Sequence, residues 1–112
     1  MTDYYCLTSD NEAVPCDVET WSKQLETMRK ADSGISKHVA DEIVNERRIS
    51  TVFLGLNHAY TKEESPKIFE TMIFEPNSFS EIYCDRYSTW DEAVGGHERA
   101  KQRFLAGEIN ND

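Results

Sequence analysis

Long apolar runs are missing from this sequence: nowhere in its 112 residues does an apolar stretch approach the ~20 residues that a bilayer-crossing helix needs. Cations are scarce as well. Lys and Arg number 12 against 21 Asp and Glu, a formal charge of −9. Affinity for nucleic-acid phosphates needs clustered cations, and so does an anionic membrane surface, so both are argued against. Cysteine is sparse and odd in number: Cys6, Cys16 and Cys84, with no Cys-x-x-Cys pair. That argues for thiols in a reducing compartment and against a disulfide framework. Cys6 and Cys16 can face each other across an N-terminal hairpin, but a core or surface thiol is the plainer reading of each. The familiar catalytic signatures are also missing: no P-loop, no Gly-x-Gly-x-x-Gly, no Gly-x-Ser-x-Gly and no His-x-Glu with Cys-x-x-Cys. The opening MTDYYCLTSD lacks the basic and apolar regions of a secretory leader, and the expectation is a cytoplasmic protein.

What is present fits one domain with a single modest core. The acids are dispersed, which reads as a solvated surface favouring solubility or a basic partner. Asp3–Leu7 and Ala13–Cys16, separated by Ser-Asp-Asn-Glu, predict a hairpin over 1–16. Asp17 suits the N-cap of a helix over 17–30 that Asp32-Ser33-Gly34 terminates; Val18, Trp21, Leu25 and Met28 form its apolar stripe, and Glu19, Lys23, Gln24, Glu26 and Arg29 its solvent side. Antiparallel strands are predicted within 37–88, at His38–Val44, Ile49–Leu56, Lys67–Phe74 and Glu81–Tyr87, with a turn at Asn45-Glu46. A helix over 33–47 competes for the first of these. Ile49–Leu56 is apolar on both faces, so it is central or lends one face to a partner. Gly55 within it signals a bulge or the close approach of another group. Thr89-x-x-Glu92 is a capping box opening a helix over 89–106, with Trp90, Ala93, Val94, His97, Lys101 and Phe104 on one face. Gly107 ends it, leaving 107–112 as a frayed tail. The fold class is α+β: an antiparallel sheet of four to five strands with two helices, the C-terminal helix packed on the sheet.

One set of residues has the chemistry for a site. His58, Glu70 and His97 offer two imidazoles and a carboxylate, enough to hold a divalent metal with room for water. Glu70, between Phe69 and Met72, would be the ligand or catalytic base. Whether Glu70 and His58 share a face depends on the strand register. An even sum of paired residue numbers puts them together and an odd sum parts them. An eight-residue loop over 59–66 pairs 58 with 67, an odd sum, unless Gly55 resets it. The alternative is structural: His58 bonded to its loop, Glu70 paired with Arg86 or Arg99, and His97 a satisfied half-buried histidine. Phe53, Phe69 and Ile73 are expected to project from the side the helices leave bare, as an interface for a second copy of the chain or as core. Arg86, Tyr87 and Trp90 are residue types favoured as recognition anchors.

ISTVFLGLNH (Ile49–His58), PKIFETMIFE (Pro66–Glu75) and RYSTWDEAVGGHE (Arg86–Glu98) resemble the motif blocks of a family of small, mostly uncharacterised proteins of tailed phages. Its members carry versions of VSTVFLGLDH, PPLLFETMVF and RYSTWEEAxxGH, in the same order and over about half of this chain. Asn57 stands here where Asp is usual, and Pro66-Lys67 where two prolines are usual. The resemblance implies a phage origin and a life in the host bacterial cytoplasm. It places Asn57, His58, Glu70, Arg86, Tyr87, Trp90 and His97 inside the motif blocks, so a shared site would be drawn from these, with Asn57, Arg86, Tyr87 and Trp90 as its binding residues, and it implies no particular activity. The leading expectation is a non-enzymatic, acidic accessory protein that binds a host protein or a small nucleotide ligand, with counter-defence as one use. A metal-dependent hydrolase of nucleotides or phosphodiesters is the alternative, and a homodimeric structural or assembly protein the third. No cofactor is expected, save a divalent metal under the second reading.

Overall fold

The computed structural model describes residues 3–28, 38–59, 64–78 and 80–109, and among them the α+β class holds, with two antiparallel sheets and two helices. Strands β1 (Tyr4–Leu7) and β2 (Ala13–Cys16) form the N-terminal hairpin. Asp17 then caps helix α1 (Val18–Met28), its Oδ1 accepting from the Thr20 N–H at 2.7 Å. Arg29 and Lys30, and the Asp-Ser-Gly stop expected after them, lie outside the described residues. The apolar stripe on α1 is shifted from expectation: Met28 is buried and Trp21 and Leu25 are half-buried, while Val18 is exposed. Gln24, on the side expected to be wet, instead clamps β1. Its Oε1 accepts from the Leu7 N–H and its Nε2 donates to the Leu7 carbonyl, both at 2.8 Å.

Strands β3 (His38–Val44), β4 (Arg47–Phe53), β5 (Phe69–Phe74) and β6 (Glu81–Tyr87) make a four-stranded sheet in chain order. The competing helix over 33–47 is therefore wrong from His38 on. Asn45 and Glu46, with φ of 47° and 71°, form the two-residue turn of the first hairpin. Positive φ at both central residues matches the twist of the flanking strands.

The strand expected over Ile49–Leu56 leaves the large sheet after Phe53, and Gly55 is the reason. Its φ is +73°, and a Cβ there would collide with the Trp21 indole. The chain turns at this point to run beside β1: the Tyr5 N–H donates to the Gly55 carbonyl at 2.8 Å and the Asn57 N–H to the Asp3 carbonyl at 2.9 Å. Leu56 forms a bridge with Tyr4. Gly55 is thus both a break in the strand and a point of close approach.

Helix α2 (Trp90–Leu105) opens with the expected capping box between Thr89 and Glu92. It closes with Gly107 at φ +78°, where the Glu108 N–H reaches the Arg103 carbonyl and the Gly107 N–H the Phe104 carbonyl. The chain beyond is not wholly frayed, because Ile109 is buried against Ile49, Ile73 and Ala100. Helix α2 touches all four strands of the large sheet through Ala93, Gly96, His97 and Ala100. Small residues bring its axis close: a Cβ on Gly96 would overlap the Tyr87 ring. Val94, expected on this face, is exposed.

Pairing assigns the strand residues to two sides. Phe53–Phe69–Tyr87, Thr51–Thr71 and Ile49–Ile73–Tyr83 share one side, and α2 covers it. The expected interface residues therefore lie in the core: Phe53, Phe69 and Ile73 are 3%, 0% and 0% exposed, and they do not form a spare apolar face. Burying each such side chain contributes about 1.5–3 kcal/mol. No helix of the described residues is long and apolar enough to cross a membrane.

Two substitutions test these backbone assignments by urea denaturation. Gly55→Ala, strained in φ and colliding with Trp21, should lose about 2–4 kcal/mol. Glu46→Gly relieves a non-glycine residue at φ 71°, and should gain about 0.5–1 kcal/mol. A neutral Gly55→Ala would mean that the chain does not turn there.

Candidate functional site

Register decides which candidate residues can meet. Val52 pairs with Glu70 and Thr51 with Thr71, so Glu70 lies on the side opposite the two threonines. His97 descends from α2 onto the threonines, its Nδ1 2.7 Å from Thr51 Oγ1. Glu70 and His97 are thus divided by the sheet. His58 lies beyond the strand end, exposed, with its N–H on the Lys67 carbonyl at 2.9 Å. The three expected metal ligands do not converge, and no group of three or more His, Cys, Asp or Glu is placed to hold a metal among the described residues.

On the covered side His97 belongs to a buried polar chain. Its Nε2 is 2.7 Å from Glu42 Oε2, and Thr51 Oγ1 is 2.5 Å from Thr71 Oγ1. With the ring proton on Nε2 facing Glu42, Nδ1 accepts from Thr51, whose oxygen in turn accepts from Thr71. Lys101 Nζ holds the other Glu42 oxygen at 3.1 Å. The His97 ring first and Lys101 next hold the Glu42 carboxyl below its ordinary 4.5, and Glu42 raises Lys101 in return. Carboxylate, imidazole and hydroxyl stand in the order used by acyl-transfer enzymes. Thr51 and Thr71 are wholly buried, however, so no substrate reaches the hydroxyl, and the chain serves packing. Tyr87 Oη, buried against Gly96, has no hydrogen-bond partner among the described residues. Burial pushes the Tyr87 phenol up to about 12, against a smaller pull from Thr71.

The opposite side of the sheet carries no helix among the described residues. Glu70, 7% exposed, is paired with Arg86, whose Nε donates to Oε2 at 2.9 Å. The Cys84 Sγ faces that same oxygen at 3.6 Å. Burial and then the Glu70 charge push the Cys84 thiol up to about 12, which makes it a poor nucleophile. Toward β3, Arg48 grips Asp41 with two bonds of 2.8 and 2.9 Å and lies 3.4 Å from His38 Nε2. Arg48 holds Asp41 below its ordinary 3.8. Val52, Met72 and Phe74 lie between these ion pairs, bordering a depression of about 250 Å³ with Ser50 and Glu70. A second depression of about 250 Å³ includes Arg86, His58, Lys67 and Cys84 in its wall.

The expected recognition residues do not share a surface. Asn57 is a loop tie: its Oδ1 accepts from the N–H of Ala59 at 2.9 Å and of Lys67 at 3.0 Å, joining the two ends of the 58–67 loop. An Asp would accept the same two bonds. Arg86 neutralises Glu70. Tyr87 is buried under α2, and Trp90 packs edge-on against Phe69, with centroids 6.2 Å apart. Sequence reasoning missed Glu42, Thr51 and Thr71 as the partners of His97. The available signal was Glu42 itself, a charge alternating with Ala40 and Val44 on the inner side of a strand. Comparison with family models, curated proteins and solved structures finds no match to this chain.

The Glu42 contacts give a pH dependence. A carboxyl with a lowered folded value adds stability that is complete above its ordinary 4.5 and is lost as pH falls through the lowered value. Glu42→Gln should therefore cost about 1 kcal/mol at neutral pH and make the acid limb of stability shallower, followed by urea midpoints from pH 7 downward. Identical acid limbs would remove Glu42 from the account.

Proposed function

We propose that this chain works by binding and not by catalysis: a small acidic accessory protein of phage origin that docks on a basic surface of a host protein and blocks it by occlusion. The side of the four-stranded sheet away from α2 carries this reading. It combines an apolar strip, Val52, Met72 and Phe74, with charges already closed into the Asp41–Arg48 and Glu70–Arg86 pairs. An apolar centre with polar groups at its margins is the ordinary anatomy of a protein interface. Pre-formed ion pairs leave few isolated charges to desolvate on docking.

The sign of the partner follows from the surplus charge. Asp3, Asp10, Glu12, Asp17, Glu19 and Glu26 are all exposed on or beside the N-terminal hairpin and α1, against Lys23 as the one cation among the described residues 3–28. Such a field speeds encounter with a basic surface and weakens as salt rises. The resemblance to phage proteins supports a host target, and counter-defence is the use that occlusion would serve. The hydrolase reading has less behind it, since Glu70, His58 and His97 lie on different parts of the fold.

The test is affinity capture from bacterial lysate with three proteins: the wild type, Met72→Glu on the sheet, and the double reversal Glu12→Lys/Glu19→Lys. Both variants change solvent-facing or half-buried positions and should keep a wild-type circular dichroism spectrum. A partner captured by the wild type should fall at least tenfold with Met72→Glu, fall with the double reversal and with 0.5 M salt (roughly a threefold-shorter screening length than at 50 mM), and ignore EDTA. Capture unchanged by both variants would end the proposal. An EDTA-sensitive phosphodiesterase activity lost in Glu70→Gln would install the hydrolase in its place.

A further inference from the structure

The N-terminal hairpin holds a pair of cysteines that none of the preceding chemistry uses. Register places Tyr4 opposite Cys16 and Cys6 opposite Val14, so Cys6 and Cys16 project from the same side of the β1–β2 ladder, one pleat apart. Their Sγ atoms are 2.6 Å apart. Cys6 is buried and Cys16 half-buried, so Cys16 is the more accessible residue of the pair. Cys84 does not compete, since it stands on β6 of the other sheet, turned toward Glu70. The hairpin also has reason to gain from a covalent link. It is a two-stranded sheet of four-residue strands, a size that is marginal by itself.

We propose that Cys6 and Cys16 are a reversible disulfide site, closed by thiol–disulfide exchange with a low-molecular-weight disulfide such as oxidised glutathione. Cys16, the more accessible residue, gives its proton to solvent, and its sulfur attacks one sulfur of the small disulfide, breaks its S–S bond and releases one glutathione thiolate. The Cys6 thiol gives its proton to solvent, and its sulfur attacks Cys16 Sγ, breaking the mixed disulfide and releasing the second glutathione. The protein loses two hydrogens and two electrons, and the oxidised glutathione gains them. Burial first, and Cys16 next, push the Cys6 thiol up to about 12. Closure is therefore the slow step at neutral pH, and its rate climbs about tenfold per pH unit while Cys6 remains mostly protonated. The product staples β1 to β2, and it narrows the unfolded ensemble of the hairpin.

The experiment uses the full-length wild type and Cys84→Ser, whose changed residue stands on the other sheet. Each is equilibrated in reduced or oxidised glutathione at pH 7 and pH 8.5, quenched with acid, denatured, alkylated with iodoacetamide and weighed intact. Reduced wild type should take up three labels, one for each cysteine. Oxidised wild type should take up one, and oxidised Cys84→Ser none, without retained glutathione and lighter by two hydrogens. A protease digest should yield a Cys6–Cys16 linked peptide pair, and closure should be faster at pH 8.5. The proposal fails if both thiols still take label after oxidation, if glutathione stays attached to Cys16, or if the linkage joins two chains. Should Cys84→Ser not fold, the label count and linked peptide of the wild type decide alone.

Discussion

Because Phe53 pairs with Phe69 across β4 and β5, every residue of these two strands is committed to one side of the sheet, and the rest of the molecule follows from that commitment. A slip of one residue would move Glu70 to the side facing α2, beneath His97, and would put an acid where a metal site could begin. The actual pairing puts Thr51 and Thr71 there instead. The helix imidazole meets a hydroxyl, its other nitrogen is bonded to Glu42 of strand β3, and Glu70 is left to Arg86 on the far side. The same parity sends Phe53, Phe69 and Ile73 into the core together. One register thus makes the core and disperses the ligands.

The polar chain under α2 sits between two apolar clusters, one around Phe53, Phe69 and Ala93 and the other around Ile49, Ile73 and Ala100. Placing it there costs desolvation, and hydrogen bonding within the chain offsets that cost. What it contributes is position. His97 satisfies Thr51 and Glu42 at once only with α2 in its present seat. Sliding the helix by one turn would part His97 from Thr51 and Glu42, and an unpaired buried imidazole costs about 1–3 kcal/mol. Apolar contacts are less demanding, since Ala and Gly on the helix would tolerate several seats. Gly96 against Tyr87 adds a steric limit to the same effect.

Features that depend on neighbouring residues were readable from the sequence. The Asp17 and Thr89 caps, the Asn45-Glu46 turn, the Gly107 stop and the break at Gly55 are each decided within a few positions, by local hydrogen bonds or by φ. Features decided by packing were not. Gln24 was assigned to solvent because a polar residue on a surface helix ordinarily points there, and nothing local says that a strand backbone lies within its reach. Glu42 and His97 are 55 positions apart, and only the seating of α2 joins them. The His58–Glu70–His97 set rested on residue type alone. The register question had a double answer. His58 does meet Lys67, an odd sum, while Phe53 meets Phe69, an even one. Both hold because the detour through Gly55 absorbs the difference between them.

That detour also joins the two halves of the chain. The segment 55–57 belongs to β1 as much as to β4, and Trp21 closes over it, so the acidic N-terminal unit is seated by residues far along the sequence. The unit itself has little apolar material: Cys6 and Met28 are its buried residues, and its remaining cohesion comes from directional bonds such as the Gln24 clamp and the Asp17 cap. Few buried contacts mean a low free energy of local opening, compared with a sheet whose central residues are fully enclosed. A change that orders this unit, covalent or by contact with a partner, therefore acts where the molecule has the most conformational freedom left to lose. The large sheet supplies the frame, and the disulfide proposed for Cys6 and Cys16 would act on the part that the frame holds least.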